Sequence, residues 1–396
     1  MTSGKRRLLQ VMFGLALVFS VLYLTGSGFC QREIFRYTDF CDYNCFMRPC
    51  MQSADPYRPT RINAHDACYP PIAYVLTKAV TARRIFDSPH AAEIQMLVTI
   101  ALAQLAGLLL LLRAYPGRKW LPLVVLALSP ALLASLFRDN PSGWSFAFVC
   151  AFLAGYRSAH AKVRAVAAFA LGCAVSLKVT PILFGVLYLP ARPLRIREWP
   201  WRELSVLAVS AAVLTIGPFG LFGGYDRIGD WLANALANSA HYSRHEPIWG
   251  LVSLLNRLWP GETSSVCQVA AAAGTRFLAL LCVLCAAFSA KTGRRLLFVG
   301  AAMMFLTHHD YGAAYMIPAF VHWLLNDETT DTLSRRVIHD VTGFCWLVLF
   351  TPLQIPGVEK GWSVNEGLQN EALLLLILLA FVVSRRSIDC ATKEVV

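Results

Sequence analysis

The chain has 396 residues, of which 56% are hydrophobic and only 15% are charged, and its mean hydropathy is +0.51. Soluble domains carry roughly 25% charged residues, so this composition excludes an ordinary soluble protein and predicts an integral membrane protein. The formal net charge of +12 comes mostly from cations in short loops, a pattern that selects membrane topology, and we expect no nucleic-acid partner.

The N-terminal segment has the layout of a membrane anchor. Lys5, Arg6 and Arg7 precede an apolar run over residues 8–28, which ends in small residues. A cleaved signal peptide shares this layout, but further apolar segments follow, so we interpret it as an uncleaved first transmembrane helix. Because cations favour the cytoplasmic side, we place the N-terminus inside. Residues 29–90 then form a first extracytoplasmic loop with interfacial helices.

Five of the twelve cysteines lie in this first loop: Cys30, Cys41, Cys45, Cys50 and Cys68. Such a group is typical of an oxidising compartment and predicts one or two disulfides, whose pairing the sequence leaves open. A zinc site is the less favoured alternative, because Cys41, Cys45 and Cys50 lack the usual tight spacing of two intervening residues.

Segment 71–86, PIAYVLTKAVTARRIF, is short and contains three cations. If it crossed the membrane, the basic loop 113–119 would lie outside. If it lies along the outer interface instead, that loop and five later basic stretches all lie inside. We therefore predict an interfacial helix here.

Twelve apolar segments can be assigned as transmembrane helices, with both termini in the cytoplasm and residues 1–396 as one membrane domain. They are 8–28, 91–112, 120–136, 144–156, 165–177, 180–190, 203–222, 267–289, 296–307, 311–325, 337–353 and 370–384. Several are short for a span, which predicts tilted or broken helices. No internal repeat is visible, whereas many transporters are built from paired halves. The predicted fold class is all-α and polytopic.

Polar sequence collects on the predicted outer side, where a second large extracytoplasmic loop covers residues 223–266. Six of the nine histidines lie in or beside the outer turns: His65, His90, His241, His245, His308 and His309. This distribution favours an active site over a pore, which would show rings of like side chains or charges in mid-span. The sequence has no Gly-rich nucleotide-binding motif. We therefore infer that an activated substrate arrives as a lipid phosphate.

An ordered series of motifs resembles glycosyltransferase family 87. It begins with D-F-x-x-Y at 39–43, D-P-Y at 55–57 and Y-P-P at 69–71. It continues with RDNPSGWSF at 138–146, SLKVTP at 176–181, NSAHYSRHEPIWGLVSLLNRL at 238–258 and THHDYGAAYMIP at 307–318. The resemblance implies the C-type glycosyltransferase fold and an activity like that of polyprenyl-phosphate-mannose-dependent α-mannosyltransferases.

For the catalytic base, the resemblance implies Asp39, the acid of D-F-x-x-Y. A carboxylate can take the proton from an acceptor hydroxyl as that hydroxyl attacks the anomeric carbon. Tyr43 lies four residues on and would share one helical face with Asp39. Asp42 is the alternative base, and a second substrate contact in any case.

For the departing phosphate, the candidates are His308 or His309, then Lys178, then Arg244 and His241. Imidazoles can donate hydrogen bonds to phosphate, and a lysine acts as a point charge. The choice between the two adjacent histidines stays open. Asp310 either orients one of them or caps the next helix.

The remaining substrate-binding candidates match polar or aromatic positions of the resembling motifs. They are Tyr57, which can stack on a sugar or serve only in a turn, together with Tyr69, Asn140 and Ser243. Tyr69 precedes two prolines that can open a helix. We predict no cofactor and no metal, because the acids are dispersed and the resemblance implies none.

The predicted function is inverting transfer of a sugar, mannose first, from a polyprenyl-phosphate donor to a lipid or glycan acceptor. The reaction is expected on the extracytoplasmic face of the inner membrane, among membrane lipids. Two other readings stay open at this point. One is a transporter or flippase of a lipid-linked or polar substrate, and the other is a glycan ligase or polymerase.

Overall fold

The computed structural model describes most of the chain. The described residues are 3–24, 43, 47–53, 55–57, 68–82, 85, 90–115, 119–137, 140–190, 192–245, 250–251, 253–254, 265–307, 310–326, 333–350 and 369–381. Every regular element within these ranges is a helix. Helices suit such an apolar chain, because a lipid environment offers no water to satisfy backbone N–H and C=O groups.

The described α-helices are numbered here in chain order. The first eight are α1 (Ser3–Leu24), α2 (Arg48–Gln52), α3 (Pro71–Thr81), α4 (Ala91–Arg113), α5 (Trp120–Ala127), α6 (Pro130–Phe137), α7 (Ser142–Gly155) and α8 (Ala161–Leu177). The next seven are α9 (Trp201–Ile216), α10 (Ile228–His245), α11 (Ser265–Phe288), α12 (Thr292–Thr307), α13 (Ile317–Leu325), α14 (Leu333–Phe350) and α15 (Gln369–Phe381).

Shorter 3₁₀ helices connect or extend several of these elements. They are Thr180–Tyr188, Ile196–Glu198, Gly217–Leu221, Tyr225–Arg227 and Asp310–Met316. Each of the twelve segments predicted as a span overlaps one of the helices, so the helical segments were correctly located. By length and composition, three described helices can cross a membrane: Ala91–Arg113, Trp201–Leu221 and Val266–Phe288. The number of twelve crossings stays a prediction.

Prolines explain why several apolar segments are broken. The segment 120–136 divides into α5 and α6, which begins at Pro130. Pro181 lies in the first turn of the 3₁₀ helix that follows α8, and Pro218 in the one that extends α9. Proline lacks an N–H and disfavours helical geometry in the residue before it, so a continuous α-helix is interrupted at such positions.

Helix α3 is the predicted interfacial element. It has 11 residues, begins at Pro71 and buries Ala73, Tyr74 and Thr77 against its neighbours, while Lys78 stays exposed. At about 1.5 Å per residue it is too short to cross the hydrocarbon core. These features agree with an interfacial helix, and its position relative to a bilayer stays a prediction.

Close helix packing depends on small residues. Gly107 of α4 faces α7, and a Cβ there would lie 2.8 Å from the Cα of Ala147. Gly172 of α8 lies directly against Ser210 of α9, with no room for a side chain. Small residues let helix backbones approach in this way, which is how membrane helices gain packing energy.

One end of the bundle gathers basic residues from loops that are far apart in sequence. The Lys5 ammonium donates to the carbonyls of Trp323 and Asn326, both at 2.6 Å. The Arg295 guanidinium donates to the carbonyl of Leu189 at 2.6 Å. All of these residues lie in or beside stretches that the sequence places inside. We call this end the Lys5 end.

The opposite end gathers residues from the turns that the sequence places outside. Asn140 and Tyr69 hydrogen-bond there, and the backbone N–H of Gly250 donates to Asn370 Oδ1 at 2.8 Å. We call this end the Tyr69 end. The contacts therefore separate the predicted inner and outer loops to opposite ends, and the compartment that each end faces stays a prediction.

Candidate active site

The structure describes the predicted site residues to different extents. Asp39, Asp42, His308 and His309 lie outside the described residues. His241, Ser243 and Arg244 lie in α10, and Asp310 begins a 3₁₀ helix, but only their backbones are described. Tyr43, Tyr57, Tyr69, Asn140 and Lys178 are described with their side chains, and all five lie at the Tyr69 end.

A chain of hydrogen bonds joins four of these residues through a serine. The Tyr57 hydroxyl donates to the carbonyl of Tyr69 at 3.0 Å. Asn140 Nδ2 donates to the Tyr69 hydroxyl at 2.9 Å. The Ser142 hydroxyl donates to Asn140 Oδ1, and Lys178 Nζ donates to Ser142 Oγ at 3.1 Å. Motifs that are up to 121 positions apart in sequence thus meet in one polar chain. We call it the Tyr69–Lys178 chain.

The direction of these bonds is fixed by one backbone group. The N–H of Ser142 can only donate, and it does so to Asn140 Oδ1 at 2.8 Å. The other end of the amide is then Nδ2, which donates to Tyr69. Because the Ser142 hydroxyl hydrogen is directed to Asn140, its oxygen accepts from Lys178. The Asn140 side chain is therefore held in a single orientation.

Local sequence explains why Asn140 and Ser142 take this arrangement. Asn140 precedes Pro141, and its side chain bonds to the N–H two residues on, which is the usual Asx-turn before a helix. Ser142 begins α7. Asn140 is 0% exposed, so an unpaired amide here would cost about 1–3 kcal/mol. Because its amide nitrogen and oxygen are both hydrogen-bonded, Asn140 is buried without this cost.

Lys178 lies at the junction between α8 and the following 3₁₀ helix. It is the residue directly after α8, and its backbone is extended (φ −154°, ψ 123°), with its N–H still donating to Ala174 at 3.0 Å. The side chain is half-buried. A cation suits this place, since the carbonyl end of a helix carries partial negative charge. The ammonium is a fixed positive group within the site.

An aromatic cluster lies beside the Tyr69–Lys178 chain and supports the first outer loop. It contains Tyr43, Tyr57, Tyr74, Trp144, Phe219, Phe222 and Trp231. The Tyr57 ring is 0% exposed, with its centroid 5.1 Å from that of Phe219, and burial raises the pKa of its hydroxyl well above the usual range. Tyr57 is thus a neutral donor. A sugar could stack on this ring only if the cluster opened.

The D-P-Y turn is also fastened to the start of the second large loop. Asp55 forms an ion pair with Arg227 at 2.8 Å, and Arg227 also bonds to Asp230 at 3.0 Å. Trp231 Nε1 donates to the carbonyl of Cys68 at 3.1 Å. These contacts give Asp55 a structural partner. They also bring α10, which carries the backbone of three predicted site residues, against the first loop.

A second polar link lies one helical turn beyond Ser142. The Tyr315 hydroxyl donates to Ser145 Oγ at 3.1 Å, and Ser145 Oγ donates to the carbonyl of Ala174 at 3.1 Å. Tyr315 belongs to the 3₁₀ helix that begins at Asp310, which packs on α6 and α7. The turn after the two predicted histidines is thereby brought next to the turn that holds Asn140.

Sequence reasoning missed Ser142, Ser145 and Tyr315. Ser142 lies between Asn140 and Trp144, in a motif from which only the Asn140 amide was predicted to contact substrate. A serine at a helix start has several ordinary roles, so nothing in its type signals a contact with Lys178. For Tyr315, the only signal was the aromatic character of the segment after the histidines.

Comparison with known proteins identifies the family of this chain. The family model described as Glycosyltransferase family 87 matches residues 67–308, which is more than half of the chain. The matched range includes Tyr69, Asn140, Ser142 and Lys178, and begins after the D-F-x-x-Y and D-P-Y motifs. Searches of curated proteins and of solved structures found no match. The chain belongs to glycosyltransferase family 87.

Proposed function

We propose that this membrane glycosyltransferase transfers a sugar from a polyprenyl-phosphate donor to a lipid or glycan acceptor at the Tyr69 end. Mannose is the first candidate sugar, and the extracytoplasmic face of the inner membrane is the proposed location. The observation that carries this proposal is the Tyr69–Lys178 chain. It holds a cation at the junction of two helices, among residues that the family match covers.

The chemistry needs a positive group where the donor loses its sugar. When the acceptor oxygen attacks the anomeric carbon, the bond between that carbon and the phosphate oxygen breaks, and negative charge grows on the phosphate. A preorganised cation or hydrogen-bond donor stabilises such charge in a water-poor site. The Lys178 ammonium carries such a positive charge, and its hydrogen bond to Ser142 Oγ positions it. We assign Lys178 to the donor phosphate, with His308 or His309 as its proposed partner.

The acceptor hydroxyl must lose its proton during the same step, and Asp39 is the proposed base. Tyr43, the last residue of the same motif, lies in the aromatic cluster at this end, 4% exposed. Tyr43 therefore lies at the end of the bundle that holds Lys178. A base and a phosphate-binding cation on opposite sides of the anomeric carbon are what an inverting displacement needs.

The other proposed contacts complete the site. Asp42 and Tyr57 belong to the first loop in the sequence, and the backbones of His241, Ser243 and Arg244 lie in α10. No cofactor and no metal are included in the proposal. Family membership favours a glycosyltransferase over a transporter or flippase. The ligase or polymerase reading differs only in its acceptor.

The test is a transfer assay with purified protein, a short-chain polyprenyl-phosphate mannose and candidate lipid acceptors. We expect transfer with inversion, shown by NMR of the new anomeric centre, and a loss of about 10²- to 10⁴-fold in Asp39→Asn. Asp55→Asn is the matched control, because that carboxylate is paired with Arg227. Wild-type rates in Asp39→Asn would remove the base assignment, and no transfer from any polyprenyl-phosphate sugar would overturn the donor class.

A further inference from the structure

The loop 192–202 at the Lys5 end has a composition that neither the site nor the bundle explains. It reads RPLRIREWPWR, with four arginines, two tryptophans, a leucine and an isoleucine. It joins the 3₁₀ helix Thr180–Tyr188 to α9 and contains the single-turn 3₁₀ helix Ile196–Glu198. It lies at the opposite end from the Tyr69–Lys178 chain, so any role it has is separate from sugar transfer.

Internal hydrogen bonds give this loop a defined shape. Trp199 Nε1 donates to the carbonyl of Pro193 at 2.8 Å, and Trp201 Nε1 donates to the carbonyl of Ile196 at 3.1 Å. The two indole rings lie against each other with centroids 5.3 Å apart. Both indole N–H groups are therefore satisfied within the loop, and the rings can enter an apolar environment without an unpaired donor.

The same folding leaves apolar side chains on the outside of the loop. Leu194 is 82% exposed, Ile196 58% and Trp201 52%. Leu194 and Ile196 border a shallow recess together with Arg195, Arg197 and Glu198. Single exposed apolar residues are ordinary, but three within eight positions of a rigid loop form a patch that needs an apolar neighbour.

The charges of the loop are not balanced internally. Arg195 pairs with Glu198 at 3.0 Å. Arg192, Arg197 and Arg202 are exposed, and none of them lies within ion-pair distance of a carboxylate in the described part of the chain. Three cations beside an apolar patch complement a surface that is apolar beneath and anionic on top.

Contacts on both sides of the loop hold it in position at the end of the bundle. Arg295 donates to the carbonyls of Leu189 and Pro190, just before the loop, and Arg164 pairs with Glu203 at 2.8 Å, just after it. The loop continues directly into Trp201–Leu221, one of the three helices that can cross a membrane. A rigid loop at the end of a crossing helix lies at the boundary between the bilayer and water.

We propose that residues 192–202 form a docking surface for anionic phospholipid headgroups. Leu194, Ile196 and Trp201 enter the boundary between headgroups and acyl chains. Arg192, Arg197 and Arg202 bind the lipid phosphates, to which a guanidinium can donate two parallel hydrogen bonds. A lone cation near an anionic membrane surface strengthens binding roughly fivefold, so the three arginines together account for a preference of about 10²-fold.

The test uses the full-length protein in a neutral detergent, titrated with phosphatidylglycerol or phosphatidylcholine. Thermal unfolding and bound lipid, counted by native mass spectrometry, are measured together. We expect phosphatidylglycerol to raise the unfolding temperature more than phosphatidylcholine does. The variant R192Q/R197Q/R202Q should need about 10- to 100-fold more phosphatidylglycerol for the same effect. The control R195Q/E198Q keeps the net charge of the loop and should respond like the wild type.

Three outcomes would overturn the proposal. One is an unchanged response of the triple variant to phosphatidylglycerol. Another is an equal stabilisation by inorganic phosphate, which would show a site for free anions. The third is a concentration-dependent dimer that Leu194→Gln disrupts, which would show an interface between copies of the chain. If the triple variant does not fold, Arg197→Gln replaces it, and a shift of about fivefold is then expected.

Discussion

Asn140 is the residue on which the geometry of the site depends. Its amide accepts from Ser142 on one side and donates to the Tyr69 hydroxyl on the other. Ser142 in turn holds the Lys178 ammonium. A substitution at Asn140 or Ser142 changes the position of the Lys178 ammonium as well as local stability. Steady-state kinetics can therefore distinguish such substitutions.

Ser142→Ala removes a hydroxyl that accepts a hydrogen bond from the Lys178 ammonium, and it leaves the lysine itself in the chain. We expect a rise of about fivefold in the KM for the lipid-phosphate donor, because one hydrogen bond contributes about 1 kcal/mol. The kcat should change less. Initial rates over a range of donor concentrations measure this, with Ser142→Thr restoring the hydroxyl.

Ser176→Ala is the control for this substitution. Ser176 is buried near Lys178, but among the described residues its hydroxyl donates to the carbonyl of Cys173 within its own helix. Its donor KM should match the wild type. A donor KM in Ser142→Ala that is indistinguishable from the wild type would contradict the positioning role of Ser142.

Lys178→Gln removes the charge itself. If the lysine stabilises the departing phosphate, transfer should fall by roughly 10²- to 10³-fold, with Lys178→Arg retaining part of the activity. Lys162→Gln is the matched control, since Lys162 is an exposed lysine in the first turn of α8, the helix that Lys178 follows. Equal activities of Lys178→Gln and Lys162→Gln would exclude the phosphate role.

At this scale the resemblance to the family implied Tyr57, Tyr69, Asn140 and Lys178 as substrate contacts, and that role stays a prediction. It did not predict that Tyr57 would be fully buried or that Ser142 would join Asn140 to Lys178. Those facts depend on which helix ends meet in space. Sequence spacing within one motif carries no information about contacts between motifs.

Among the elements, a turn within the second large loop is held by two helices that are distant in sequence. Gly250 has φ +93°, and its N–H and carbonyl both bond to the Asn370 side chain, at 2.8 and 3.1 Å. The next N–H, that of Leu251, donates to Thr275 of α11 at 2.9 Å. The loop is thus held at a fixed turn between α11 and α15.

Gly250→Ala should destabilise the protein by roughly 2–4 kcal/mol, because the backbone is left-handed and a Cβ would overlap Thr275. Gly229→Ala is the control, since Gly229 is helical and a Cβ there meets nothing within 4 Å. Gly229→Ala should leave the free energy of unfolding unchanged or raise it by up to about 1 kcal/mol. Thermal unfolding in detergent distinguishes the two, and equal midpoints would contradict the packing at Gly250.

Element positions were largely predictable from apolar runs, and short runs predicted broken helices without showing where each one breaks. Segment 120–136 is two helices, and 180–190 is a 3₁₀ helix rather than an α-helix. Apolar character alone reports that a segment is buried. Where a proline interrupts a helix, the form of the segment depends on which neighbouring groups hydrogen-bond to the freed backbone groups.

For the whole molecule, the distribution of cations predicted which loops share an end of the bundle. The contacts of Lys5, Arg164 and Arg295 gather the basic loops at one end, as the charge pattern indicated. The number of crossings is less determined, because several helices are shorter than a straight span. Helix length alone decides whether a segment crosses the membrane only for an isolated helix, because packing against neighbours sets the tilt of a helix in a bundle.

A labelling experiment tests the orientation of the two ends. Asp226→Cys lies at an exposed position of the Tyr69 end, and Arg197→Cys at the Lys5 end. A membrane-impermeant maleimide should add label to Asp226→Cys in intact cells, above the wild-type background. Arg197→Cys should gain label only after permeabilisation. Labelling of both from the same side would contradict the separation of the ends, and the reverse pattern would invert the topology.

The bond between Gly250 and Asn370 has a consequence for protein engineering. Gly250 lies inside the stretch that matches the family, and Asn370 lies well beyond its end. A hybrid that exchanged only residues 67–308 between two members would keep one half of this pair and replace the other. Such exchanges therefore need to carry α15 along with the matched stretch, or the loop beside the site loses its anchor.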